Sequence, residues 1–140
     1  MTRAEILALL DRRQTAFDRH DAVAIAALHA DNGVVESLLA GTVTGRRGIA
    51  DVYQTFFDAF PDMVMTIDDV FIDGDHATQV AMVTGTDMGG FMGVPATRKP
   101  FRLPIVFLYT FKDGAIAHER RIYDFTGLLV QIGVLKAKPA

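Results

Sequence analysis

The spacing of apolar residues changes once along this chain, and the change splits it into two unlike parts. Before residue 61 the apolar positions recur with a helical period. Ile6, Leu9, Leu10 and Phe17 share one stripe, opened by Thr2 and Glu5 in a Thr-x-x-Glu capping pattern, and they predict a helix over about residues 3–19. Asp21 can cap a second, alanine-rich helix over 22–30. Asp31-Asn32-Gly33 reads as a turn, Val34 to Leu39 as a strand, and Gly41 to Gly45 as a turn or short strand. Ile49, Val52, Tyr53, Phe56, Phe57 and Phe60 then give the clearest helical stripe, which Pro61-Asp62 stops.

After Pro61 the period falls to two. Met63 to Ile72, His76 to Thr86, Phe101 to Phe111 and Ala115 to Tyr123 predict long antiparallel strands, with Asp73-Gly74-Asp75 and Asp113-Gly114 as hairpin turns. Residues 87–100, rich in Gly and Pro, read as a long loop, and 124–132 as a last short helix ending at Gly133. Helices segregated to one side of an antiparallel sheet give an α+β fold, and the absence of βαβ alternation argues against a doubly wound one. The strand from Phe101 to Phe111 is apolar at nearly every position, so both of its faces are expected to be covered, one by the helices and the other by a second subunit or a pocket. Pro104 within it marks an edge or a bulge.

Composition narrows the function classes. The chain has 140 residues, half of them hydrophobic, which supports one core and a single domain. A net charge of −3 argues against a nucleic-acid partner held by a basic face. With no cysteine there is no disulfide framework, thiolate metal site or cysteine nucleophile. His20, His29 and His76 lie apart without metal-ligand spacing, so no metal is expected. No long apolar run is present, and the reading expects no leader, no membrane span and a soluble cytoplasmic protein.

The last strand carries a row of titratable groups, His118-Glu119-Arg120-Arg121. On a regular strand His118, Arg120, Ile122 and Asp124 share one face, and Glu119, Arg121 and Tyr123 the other. One of the two sets is expected to enter a pocket.

Several segments together resemble one family. Gly85-Thr-Asp-Met-Gly-Gly-Phe-Met-Gly-Val-Pro-Ala-Thr-Arg-Lys-Pro100 is similar to the Gly-Thr-His-x-Gly-x-Phe-x-Gly-x-Pro-x-Thr-Gly-Lys pattern of SnoaL-like polyketide cyclases. Asp124-x-x-Gly-Leu-Leu-x-Gln-Ile-Gly133 resembles their C-terminal motif, and Phe60-Pro-Asp62 and Asp113-Gly-Ala-Ile116 fit as well. The resemblance implies the cone-shaped α+β fold of the nuclear-transport-factor-2-like superfamily, in which a curved sheet wraps around N-terminal helices. It also implies a cofactor-free acid/base enzyme that closes a ring of a polyketide ester by intramolecular aldol condensation. Asp124 matches the family's general acid/base. The sequence departs from the pattern at Asp87 (usually His), Arg120 (commonly Trp) and Arg98 (usually Gly).

The candidate catalytic residues are therefore Asp124, Asp87 and His118. Arg120 is the candidate pocket cation, with Tyr53, Phe57, Phe91, Met92, Phe107 and Tyr109 as lining. The expected ligand is a small apolar carbonyl compound, and the expected assembly a homodimer. Two alternatives stand beside the cyclase. One is a limonene-epoxide-hydrolase-like enzyme that assembles Asp87, Arg120 and Asp124. The other is a non-catalytic ligand carrier or assembly module. A ketosteroid-isomerase base is not expected, since Ser37 follows Glu36 where that base would stand.

Overall fold

The computed structural model describes residues 1–136. The elements run α1 (Arg3–Asp18), α2 (Ala22–Ala27), β1 (His29–Ser37), β2 (Gly41–Thr44), α3 (Arg46–Ala59), β3 (Val64–Asp73), β4 (His76–Thr86), β5 (Pro100–Lys112), β6 (Ala115–Tyr123) and α4 (Phe125–Gln131). The caps explain the helix starts. Thr2 and Glu5 close a full capping box on α1, and Asp21 accepts from the Ala24 amide at the start of α2. The helices cover one face of a curved six-stranded sheet of order β2-β1-β6-β5-β4-β3.

Every neighbouring pair is antiparallel except β1 and β6, which run parallel. The predicted antiparallel meander is present as β3–β4–β5–β6, and its last strand lies parallel to β1. The chain leaves β2 at one edge, crosses in α3 to β3 at the other, and returns strand by strand until β6 lies beside β1.

Two irregularities matter for the site. The Asp31-Asn32-Gly33 signal is a bulge inside β1, not a turn between elements: the β1–β6 register shifts between His29 and Val34. In β6, Thr110 pairs with His118 but Phe111 pairs with Ile116, so Ala117 is the extra residue of a second bulge.

Within one chain β5 is fully covered on one face only. Phe101, Leu103, Ile105, Phe107, Tyr109 and Phe111 are buried beneath the helices. On the opposite face Arg102 and Pro104 are exposed, while Val106, Leu108 and Thr110 are half-buried. Pro104 lies one residue past the last β6 partner, Ile105 paired with Tyr123, so β5 is a local edge there.

The loop after β4 is tied to the end of α3. The amides of Met88 and Gly89 both donate to the Ala59 carbonyl. A Cβ on Gly89 would collide with the Asp58 carbonyl, so only glycine permits this approach. The docking seats Phe91 against Phe56 and Phe60, with ring centroids 5.7 and 5.2 Å away.

Candidate functional site

The helical stripe of α1 contains one charged residue. Arg13 sits between Leu9, Leu10 and Phe17 on the buried side, and only 1% of its surface is exposed. Opposite it, the Ala117 bulge turns Glu119 and Arg121 inward along with Ile116. The two elements thus carry two guanidiniums and a carboxylate into the core, and the hydrogen bonds answer for them.

Glu119, fully buried, accepts the Tyr53 hydroxyl at 2.9 and 2.8 Å on its two oxygens, and Arg121 Nη2 at 2.6 Å. Arg13 Nη2 donates to the Tyr53 oxygen at 2.7 Å, while Arg13 Nε stands 3.6 Å from Glu119 Oε1. His29 Nδ1 donates to the Ile25 carbonyl at 3.1 Å, and its Nε2 lies 3.3 Å from Glu119 Oε1. Aromatic rings flank both cations. The Arg13 guanidinium is 4.4 Å from the Phe107 centroid, and that of Arg121 is 4.6 Å from the Tyr53 centroid.

The electrostatics follow from these distances. Burial alone would raise the Glu119 carboxyl, but Arg121 and Arg13 overturn that and hold it well below the usual carboxylate range. Glu119 is therefore an ionised acceptor and a poor base. Burial pushes Tyr53 up to about 12, so its proton stays on the bridge to Glu119. Two guanidiniums against one carboxylate leave a positive excess.

Beside this network lies a cavity of about 40 Å³. Its wall is apolar, with Phe17, Phe56, Phe60, Val83, Leu103, Ile105, Phe107 and Leu128 among the lining residues. The polar side chains on it are Arg121, Tyr53 and Tyr123. That volume holds only a few waters, about one per 10–15 Å³ of space. Arg121 Nε and the Tyr123 hydroxyl are buried, and neither makes a hydrogen bond among the described residues. Burial raises the Tyr123 phenol, which faces the neighbourhood of Ser37 and Leu39 without hydrogen-bond geometry to either.

The predicted site residues fall in different places. Tyr53 and Phe107 are on the cavity wall. Tyr109 is buried but off that wall, donating to Gln79 Oε1 at 2.9 Å. Phe57 stacks on His20 at 4.4 Å, and Phe91 is buried among Phe56, Phe60 and Phe125. Met92 is exposed.

Arg120 is not the pocket cation. It projects from the outer sheet face, exposed, because the Ala117 bulge gives the inward positions to Glu119 and Arg121. His118 shares that outer face and pairs with Glu36 at 2.8 Å. Asp87 is buried but fully engaged: it accepts the amides of Gly90 and Thr97 and the Thr97 hydroxyl, each at 3.0 Å. It organises the loop and does not meet Arg120, so the Asp87/Arg120/Asp124 constellation of a hydrolase does not form.

Asp124 is exposed and caps α4, with Oδ1 accepting the Gly127 amide at 2.8 Å. It directly follows Tyr123, and α4 brings Leu128 to the cavity wall. Sequence reasoning missed Arg13, and it offered Glu119 and Arg121 only as one of the two possible inward faces of the last strand. The available signal was a charge placed on the apolar stripe of α1. Among the described residues no group of three or more His, Cys, Asp or Glu could hold a metal ion. No described helix is long and apolar enough to cross a membrane.

Comparison with known proteins places this geometry in a family. The SnoaL-like polyketide cyclase profile matches residues 8–132. Among solved structures, AclR from Streptomyces galilaeus, provisionally described as a hydroxylase, is 25% identical with a TM-score of 0.84, over 99% of this chain and 91% of that one. IdmH from Streptomyces antibioticus, provisionally described as a polyketide cyclase, is 27% identical with a TM-score of 0.73, over 90% of this chain and 96% of that one. A Catenulispora acidiphila protein with a ketosteroid-isomerase-like fold is 22% identical with a TM-score of 0.78, over 94% and 97%. No curated protein sequence matches the chain. An α+β cone with helices inside a curved six-stranded sheet, matched by that profile over most of its length, belongs to the SnoaL-like polyketide cyclase family.

Proposed function

We propose that this protein is a cofactor-free acid/base enzyme. It takes a proton from the carbon next to a carbonyl of a small apolar substrate and so promotes aldol-type ring closure. The observation that carries the reading is the apolar cavity bounded by the β6–α4 junction, with Asp124 at that junction. The cavity is too small for a whole ring substrate, so the substrate enters it in part and extends outward past α4. Asp124 Oδ2 makes no hydrogen bond among the described residues and is the group that takes the proton. Glu119 and Tyr53, locked to each other and to the guanidiniums, hold the wall rigid and do not exchange protons with the substrate.

A second reading is ligand binding without turnover. It is favoured by one observation: the carboxylate buried in the network beside the cavity, Glu119, is a poor base. The two readings part on hydrogen exchange. In deuterated water, the protein is expected to accelerate exchange at the activated methylene of a poly-β-ketone ester, followed by NMR. Binding with exchange no faster than in buffer would leave only the carrier.

The same proposal includes a homodimer formed through the outer sheet face. Asp69, Val80, Val106 and Ile122 form one row across that face, and Phe71, Thr78, Leu108 and Arg120 the next. Phe71 is 62% and Ile122 47% exposed, an apolar surface that a second copy would cover.

A further inference from the structure

We infer that Arg121 is an anchor for an acidic oxygen, so that the cavity selects an apolar ligand binding as an anion: a carboxylate or the enolate of a cyclic 1,3-dicarbonyl. The inference rests on the reading of the cavity as the ligand site, and it adds the charge of the ligand to that reading.

Three observations lead there. The buried network is one negative charge short: Arg13 and Arg121 face Glu119 alone as a carboxylate. Of the two cations only Arg121 reaches the cavity wall, since Arg13 lies off it, against Phe107 and Tyr109. Arg121 uses Nη2 on Glu119 and leaves Nε, fully buried, without a partner among the described residues. A water in the cavity could accept from Nε, but it would leave the charge uncompensated. An oxyanion does both. Tyr123, two residues along the same strand face, lines the same wall.

The groups around Arg121 define how pH acts. Glu119 and Tyr123 face it from β6, Tyr53 from α3, Arg13 from α1 and His29 from β1. Glu119, held well below the usual carboxylate range by Arg121 and Arg13, keeps its charge under mild acidification. A loss of binding in acid must then come from the ligand taking up its own proton.

The probes are 1,3-cyclohexanedione, ionised at neutral pH, and cyclohexanone, neutral and of similar size, each titrated into the intact protein by calorimetry or ligand-observed NMR. The dione is expected to bind at least about tenfold more tightly at neutral pH. That preference should vanish below the dione's own ionisation, with cyclohexanone unchanged. Arg121→Met should remove the preference, and Arg120→Met, on the outer sheet face, should keep it. Should the Arg121 variant fail to fold, the two ligands at two pH values on the unaltered protein still decide. Equal binding of both probes overturns the anchor and leaves the apolar carbonyl site standing. Binding of neither overturns both. Displacement of the dione by chloride at similar concentration overturns the organic-acid class in favour of a bare ion.

Discussion

Glu119 takes the hydroxyl hydrogen of Tyr53 between its two carboxylate oxygens, at 2.9 and 2.8 Å. Through Arg13 on the same tyrosine oxygen and Arg121 on the carboxylate, this contact joins α1, α3 and β6 inside the cone. A buried ion network is weak evidence for net stability, because desolvation opposes its Coulomb attraction. Breaking it is another matter, since the partners left behind are charged and dry.

Glu119→Gln keeps the side-chain shape and removes the charge. Two buried guanidiniums then lose their counterion, and unfolding in urea is expected to show a loss of about 3–5 kcal/mol. A loss below about 1 kcal/mol would mean the network carries no such burden.

Tyr53 predicts an alkaline limit. Its folded pKa of about 12 lies above the unfolded value of 10.0, so the unfolded chain gives up the proton first. The stabilisation is complete below pH 10.0 and is lost as pH rises toward about 12, an effect of up to about 3 kcal/mol. Tyr53→Phe should make the alkaline fall in stability shallower. An unchanged slope would count against the bridge. Glu119 sets the acid limit with the opposite sign. Its folded pKa is depressed, so its contribution is present above the unfolded value of 4.5 and is lost as pH falls through the folded one.

Asp87 is assigned to the loop and not to chemistry. Asp87→Ala leaves the partly buried amides of Gly90 and Thr97 without their acceptor, at about 1 kcal/mol or more for such a group. Hydrogen exchange should speed up across residues 88–98 while the strands stay protected. Global unfolding without local loosening would contradict this assignment.

The outer sheet face predicts a dimer. Light scattering at micromolar concentration should give twice the chain mass, and Leu108→Asp should give a monomer that keeps its fold. A monomeric unaltered protein would remove the interface.

Much of this architecture was legible in the sequence. The switch of period after Pro61 set helices against strands, and β4 and β6 have the bounds that alternation gave them. The inside of β6 was not legible. Strict alternation puts Ile116 and Ile122 on the face of Arg120, and only the extra residue at Ala117 hands the interior to Glu119 and Arg121. A bulge depends on the neighbouring strand, which one strand's own pattern does not carry. Arg13 was hidden for a related reason. A cation belongs on an apolar stripe only when a buried carboxylate waits opposite, and that partner lies more than a hundred residues away along the chain. The parallel pairing of β1 with β6 is likewise long-range.

The central claim is that Asp124 moves the proton. Asparagine at this position keeps the helix cap, whereas alanine costs about 1 kcal/mol by losing it. The most direct measurement is therefore solvent-deuterium exchange at the activated methylene, comparing the unaltered protein with Asp124→Asn at matched folding and ligand saturation. The account predicts that exchange falls by about 10²–10⁴-fold while ligand affinity holds. Exchange at the unaltered rate would contradict it.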